Sequence, residues 1–580
     1  MSDNDDNLVA QELFRRLSTL KPDAKSPRGW FIKGIALSEQ ERYDEAIQAY
    51  SKAIEINPNY AEAWVNKGYA LDELGKLDDA ISAYDKAIEI KPQLANAWYN
   101  KGYDLAKLGK LNDAINAYDM AVERDPKLAA AWVNKSNALG QLGKYPDALD
   151  AAEKAIEIDS KRATAWVNKS NALGQLGKYP EALEAAEKAI EIDPKLPIAW
   201  ANSSNALCGL GKYQDALEAA EKAIELDPRL TMAWTNKAGA LGQLGKYQDE
   251  LEAAEKAIEL DPKLAIAWVN KSHGYINSDK CSDGLNAAEK AIELNPKLAT
   301  AWVNKSNALG RLGNYLDALE AVEKAIELDP RLAMARVNAA YFLNKLSKYE
   351  DALDASEKAI ELDPKLAIAW RNKSEALFLL GRYEEALQAN DKAIELDPQY
   401  AMAWYKKGII LSNLAKYDVA VQAFEKAIKL DPQYADAWVN KGGALNSLGK
   451  YEEALQAYDR AIELDSKDAM AWGNKGTILG NLGKYDEALQ AYDKSIELDP
   501  KYVRAWINKG ATLYNNGKLD EALQAFEKAI ELDPQYADAW VNKGFVLMLR
   551  GRTAEAQDAF AKAKELGYKV DLTPSSSYNL

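Results

Sequence analysis

The stretch AEAWVNKGYALDELGKLDDAISAYDKAIEIKPQL, residues 61–94, decides the fold. With Ala61 as position 1, apolar or small residues fall at Trp64, Gly68, Leu71 and Leu74, which is one stripe of a helix. Gly75 follows, and glycine is the preferred residue just past a helix end. A second stripe runs through Ala80, Ile81, Tyr84, Ala87 and Ile88, and Pro92 sits where that helix must stop. The unit reads as helix A, tight turn, helix B, turn.

The same unit recurs every 34 residues without insertion or deletion. Its first marker is Trp30, followed by Trp64, Trp98, Trp132, Trp166, Trp200, Trp234, Trp268 and Trp302. Arg336 takes the slot once, and Trp370, Trp404, Trp438, Trp472, Trp506 and Trp540 complete sixteen units over residues 27–570. A fixed period of this size marks an array in which each unit is one supersecondary element. A lone pair of such helices cannot offset ordering costs of roughly 1.5 kcal/mol per residue, so stacking is obligatory.

The pattern resembles the tetratricopeptide repeat family. Trp64, Gly68, Ala80, Tyr84 and Pro92 match its offsets, while Lys67 stands in a Leu slot and Leu71 in a Tyr slot. The Lys recurs in 14 of the 16 units, its stem suited to the core edge and its ammonium to water. The resemblance implies an all-α, right-handed superhelical solenoid of antiparallel helix pairs. It also implies a protein- or peptide-binding role without an enzyme's catalytic domain.

A net charge of −16 and the lack of a basic stripe with interleaved aromatics argue against nucleic acid as a partner. No apolar run of membrane-spanning length and no signal-peptide core are seen, so a cytoplasmic protein is expected. Two cysteines, Cys208 and Cys281, are too few for a disulfide framework. One histidine, His273, has no partners in the pattern for a metal site or triad, so neither metal nor cofactor is expected.

Residues 1–26 read as an N-terminal capping helix with Val9, Leu13, Phe14, Leu17 and Leu20 on one face. Residues 27–570 read as one continuous solenoid, and 571–580 as a loose tail. In the last unit Gln557 and Lys564 replace the apolar residues that elsewhere face the next unit. Within the array, position 24 is aromatic in the outer units, as at Tyr84 and Tyr458, with glycine at position 8. In the middle it is small, as at Ala186, with Ser or Ala at position 8. This divides the array into aromatic-type units over 27–128, small-residue units over 129–402, and aromatic-type units over 403–570. Positions 8 and 24 are expected to touch, and the middle helices to lie closer together.

Position 6 is Asn in 14 units: Asn66, Asn100, Asn134, Asn168, Asn202, Asn236, Asn270, Asn304, Asn338, Asn372, Asn440, Asn474, Asn508 and Asn542. Asn is a mediocre helix former, so its recurrence wants a reason. The ladder is similar to the one lining the superhelix of O-GlcNAc transferase, which implies amides on a concave wall gripping peptide backbone. Asn137, Asn171, Asn205 and Asn307 add a second amide row at position 9. The competing reading is that these amides bond to neighbouring helices. Candidate anchors are Tyr341, Arg371, Phe378, Tyr405, Lys406 and Ile409, and near the N-terminus Phe31, Ile32, Ile35, Tyr69, Tyr99 and Tyr103, because aromatics and Arg dominate binding energy. The expected function is a non-enzymatic scaffold capturing extended protein or peptide segments. The alternative is a structural scaffold that assembles with itself into homo-oligomers or with a larger complex.

Overall fold

A computed structural model of the chain describes residues 15–19, 21–22 and 25–568. Among these every regular element is a helix. Unit 2 consists of Ala61–Glu73 and Leu77–Ile90, and the same two-helix plan recurs down to Ala537–Leu549 and Thr553–Glu565. Residues 401 and 402 open the helix Ala401–Asn413 of unit 12, so the small-residue type fills units 4 to 11 and ends at residue 400.

The turn between the two helices is built by backbone geometry. Gly75 adopts φ +73°, which a side chain rarely tolerates. Its N–H donates to the Asp72 carbonyl at 2.7 Å, and the Lys76 N–H donates to the Leu71 carbonyl at 2.9 Å. The last carbonyls of helix A are thereby satisfied. Four units keep the conformation without glycine, at Glu41, Asp279, Ser347 and Ala415, with φ of 58°, 57°, 60° and 54°. The turn between units relies on a side chain instead: the Asp125 carboxylate, for example, accepts from the Lys127 N–H at 3.0 Å.

The Trp at position 4 secures that second turn. The Trp64 indole N–H donates to the Pro58 carbonyl at 3.2 Å, six residues back, and the bond recurs in most units, though the Trp438 indole N–H is buried without a partner. Where the Trp is lost, an Arg336 guanidinium N–H reaches the Pro330 carbonyl at 3.5 Å. The Lys at position 7 lies over the same indole and ties helix A to helix B. Lys101 Nζ stands 5.6 Å from the Trp98 ring centroid and 2.6 Å from Asp85 Oδ1. The stem covers the core edge, as its amphipathic character predicts.

Positions 8 and 24 do meet in the aromatic units. A Cβ on Gly68 would lie 2.5 Å from Tyr84 Cε1, and Gly102, Gly442 and Gly510 face Tyr118, Tyr458 and Phe526 in the same way. The small-residue units close differently from the expectation of matched volumes. Ser136, Ser170, Ser204 and Ser374 donate to the carbonyls of Ala148, Ala182, Ala216 and Ala386 at 2.6, 2.8, 2.7 and 2.8 Å. A buried hydroxyl needs such a partner, and position 20 of helix B supplies it. The closer approach expected in the middle falls between successive units, whose first helices pack more extensively there, and not within a unit.

Packing divides the chain into two compact units, with the division between Asn304 and Lys305. At the N-terminus, residues 15–19 are helical, and Ser18 Oγ donates to Gln40 Oε1 at 3.3 Å. Val9, Leu13, Phe14 and Leu20 of the expected capping face, and the tail 571–580, lie outside the described residues. Gln557 and Lys564 are exposed.

The left-handed turn yields a test. Ala415 is exposed and pays the steric cost of φ 54°. Replacing it with Gly, as in most other units, should stabilise the protein by about 1 kcal/mol. An unchanged or lower thermal midpoint would contradict the assignment.

Candidate functional site

The residues singled out above lie on helix A of each unit at positions 5, 6, 9 and 12, of which position 5 is buried in most units that carry Val there. The amides divide by unit type. In the small-residue block the side-chain N–H groups of Asn168, Asn202, Asn236, Asn270, Asn304 and Asn372 donate to position 5 carbonyls of the preceding helix A. The acceptors are Val133, Val167, Ala201, Thr235, Val269 and Val337, at 2.8 to 3.0 Å. These donors are committed to the joint between successive first helices.

At the remaining positions, Asn134 and Asn338 of the small-residue block included, the ladder breaks up. Asn66 bonds within its own helix to the Glu62 carbonyl at 2.9 Å. Asn440 does the same to Asp436 at 2.9 Å, and also reaches the Tyr405 hydroxyl at 3.2 Å. Asn134 donates to the Tyr99 hydroxyl at 3.2 Å, and Asn508 to Thr477 Oγ1 at 3.1 Å. Asn100 interacts with the Tyr84 hydroxyl, and Asn474 and Asn542 are half-buried. In the second row, Asn137 accepts from Gln141 at 3.2 Å and Asn307 accepts from Asn338 at 2.7 Å. Asn171 and Asn205 approach the preceding unit where position 12 is glycine: a Cβ on Gly174 would stand 3.3 Å from Asn205 Nδ2.

The anchors also separate. Tyr341, Arg371, Tyr405 and Lys406 line one cavity of about 410 Å³, with Asn344, Lys345, Asn372, Glu375, Leu379, Met402, Tyr434 and Asp436. Every lining residue lies on a helix A or, for Tyr434, just before one. The Tyr405 and Tyr434 ring centroids lie 4.7 Å apart with their planes tilted by 43°, and burial followed by the Asp436 charge pushes the Tyr405 hydroxyl up to about 12. Lys406 pairs with Glu375 at 2.8 Å. Phe378 lies outside the cavity with its ring 5.4 Å from Tyr383, and Ile409 is half-buried against the core. At the other end, Phe31 packs between Tyr50 and Tyr60 at 5.9 and 4.9 Å, and Ile35 packs against the core of unit 1. Ile32, Tyr69 and Tyr103 are exposed, and Tyr103 lies under Lys107 Nζ at 4.5 Å. Tyr99 is half-buried, its ring 6.2 Å from Tyr118.

Two buried acids went unread in the sequence. Asp104 is fully buried with no hydrogen-bond partner on either oxygen. Burial, then the Asp72 charge, pushes its carboxyl up to about 7. Glu250 is 1 % exposed, its carboxylate 2.9 Å from His273 Nδ1; burial raises its pKa and His273 opposes the rise. The available signal was a column outlier: position 20 is Ala in 14 units and Glu only at Glu250, while position 10 is Ala in units 1, 2 and 4 and Asp only at Asp104. Among the described residues no group of three or more His, Cys, Asp and Glu side chains gathers to hold a metal ion. No described helix is long and apolar enough to cross a membrane.

Sequence profiles described as Tetratricopeptide repeat match residues 3–61, 33–95, 99–163, 133–197, 203–265, 270–333, 303–367, 336–401, 405–469 and 474–537, with further matches at 457–490 and 513–569. The chain belongs to the tetratricopeptide repeat family, an all-α solenoid class of protein-interaction scaffolds. No match was found among curated proteins. Among solved structures, that of the APC/C hetero-tetramer Cut9–Hcn1 is similar at 14 % identity and TM-score 0.53, over 77 % of this chain and 95 % of that one. YrrB, a TPR protein with an unusual peptide-binding site, is 33 % identical over 32 % of this chain and 96 % of its own, with TM-score 0.28. MamA is 27 % identical over 28 % of this chain and 96 % of its own, with TM-score 0.27.

The two uses of the amide column predict different mutant effects. Asn202→Ala removes a bond between units, worth about 0.5–1.5 kcal/mol against a helix-propensity gain of about 0.5 kcal/mol. The thermal midpoint should therefore fall slightly or hold, whereas Asn66→Ala, which loses only an intrahelical bond, should raise it. The reverse order would refute the assignment.

Asp104→Ala restores the residue found at Ala70 and Ala138. A carboxyl whose folded pKa of about 7 exceeds its unfolded 3.8 destabilises the fold increasingly as pH rises between those values. The gain from the substitution should be largest at pH of about 8 and shrink toward pH of about 4 in melting curves. A gain that does not change with pH would refute the buried-acid account.

Proposed function

We propose that the chain is a non-enzymatic, cytoplasmic scaffold that captures extended protein segments along the face formed by its first helices. One observation carries this reading: side chains of units 11 and 12 that break the repeat pattern converge, with neighbours from units 10 and 13, on one cavity of about 410 Å³. Arg371 and Tyr405 replace the usual Val at position 5, and Lys406 replaces the Asn at position 6. Drift would scatter such departures over all faces of the helices. Here they meet, and they are of the residue types that concentrate binding energy. The amide rows are proposed as a secondary contribution, since many of their donors already serve the joints.

The reading is tested with a photo-crosslinking residue placed at Leu379, 40 % exposed in the cavity lining, and separately at Leu316, 66 % exposed on a helix B. Light scattering of the pure protein completes the test. Crosslinks to segments of other proteins from Leu379, several-fold above those from Leu316, are expected from a monomeric chain. Equal yields at the two positions would overturn the reading. Oligomers forming without ligand, with crosslinks only between copies, would establish the self-assembling scaffold instead.

A further inference from the structure

The cavity of units 10 to 13 is specific in its chemistry. Of its three cations, Lys406 is neutralised by Glu375 at 2.8 Å. Arg371 has no carboxylate partner among the described residues: it donates to the Tyr400 hydroxyl at 2.6 Å and to Asn372 Oδ1 at 2.9 Å. These two bonds use two of the five N–H donors of a guanidinium and hold its plane in place. Lys345 is exposed and lies over the Tyr341 ring at 5.5 Å, again without a carboxylate. Asp436 is the one remaining anion of the lining. The cavity therefore keeps a net positive charge in a chain whose total is −16. Around the cations stand Tyr341, Leu379 and Met402, 37 %, 40 % and 36 % exposed. Beside them, Asn344 donates to the Asn372 carbonyl at 3.2 Å, while its Oδ1 is buried without any partner. A buried acceptor left unpaired costs free energy until a donor reaches it.

We infer that this cavity recognises an acidic side chain next to an apolar one in an extended segment of a partner protein. The carboxylate would lie between the spare N–H groups of Arg371 and the Lys345 ammonium, where a fixed guanidinium favours a two-pronged bond. The apolar side chain would cover Tyr341, Leu379 and Met402. The inference rests on the proposed capture of extended segments and adds to it the class of segment.

The test uses random dodecapeptides displayed on phage, selected on the full chain. Enrichment of Asp or Glu adjacent to Leu, Ile, Met or Phe is expected. An end-blocked synthetic peptide of the enriched type should bind at least tenfold more weakly to Arg371→Gln and to Lys345→Ala. Changing its Glu to Gln should matter to the wild type and little to Arg371→Gln. Melting curves check that both variants are folded, and Lys345, being exposed, remains informative if Arg371→Gln is not. Enriched peptides without an acidic residue, or with affinities unchanged by both substitutions, would overturn this inference and leave capture of segments standing. A selection that enriches no sequence at all would overturn both. A dimer in sedimentation equilibrium that Lys345→Ala dissociates would place a second copy in the cavity and overturn the inference.

Discussion

A helix pair of 34 residues has too little apolar surface to stay ordered alone, and every other feature of the chain answers to that constraint. The second helix of each unit must give its remaining apolar face to the first helix of the next. The period is therefore a constant 34 residues, and the contacts that join the units recur in register. The Trp64 indole bonds the turn before its helix, Lys67 lies over that indole, and Gly68 admits the Tyr84 ring. Arg336 makes a similar bond without an indole, at 3.5 Å.

Two solutions to the same interface run along the chain. In one, a ring wedges against glycine and carries packing area. In the other, a serine hydroxyl bonds across to a helix B carbonyl, and the neighbouring unit comes nearer. That approach brings Asn202 within 3.0 Å of the Val167 carbonyl, a bond that Asn66 makes to its own helix instead. One recurring column of amides thus does several jobs: in most small-residue units it bonds to the preceding first helix, and in the others it turns to its own helix or to a hydroxyl. The binding reading consequently rests less on the ladder and more on the places where the pattern is broken.

Those places are few and chemically pointed. Arg371, Tyr405 and Lys406 depart from the usual residues of their columns, and they meet Asn344 in one cavity because their positions face the same way on consecutive helices. Asp104 and Glu250 depart as well, but inward, where they are buried carboxyl groups. Both kinds of departure were visible as column outliers. Their direction was not, since position 10 and position 12 are neighbours in sequence and lie on different sides of a helix.

Sequence alone determined the helix pair, the 34-residue period, the glycine turn and the family, because each depends on short-range backbone geometry repeated sixteen times. It also identified the aromatic-against-glycine contact, since volumes at two fixed positions had to match. What only the tertiary structure decided was the partner of each polar group. Whether an Asn amide bonds to its own helix, to the preceding one, or to a tyrosine depends on how closely successive units approach. That approach is set by the packing of whole helices, and no local pattern encodes it. The same holds for the cavity: its residues are up to 95 positions apart, from Tyr341 to Asp436, and only stacking brings them together.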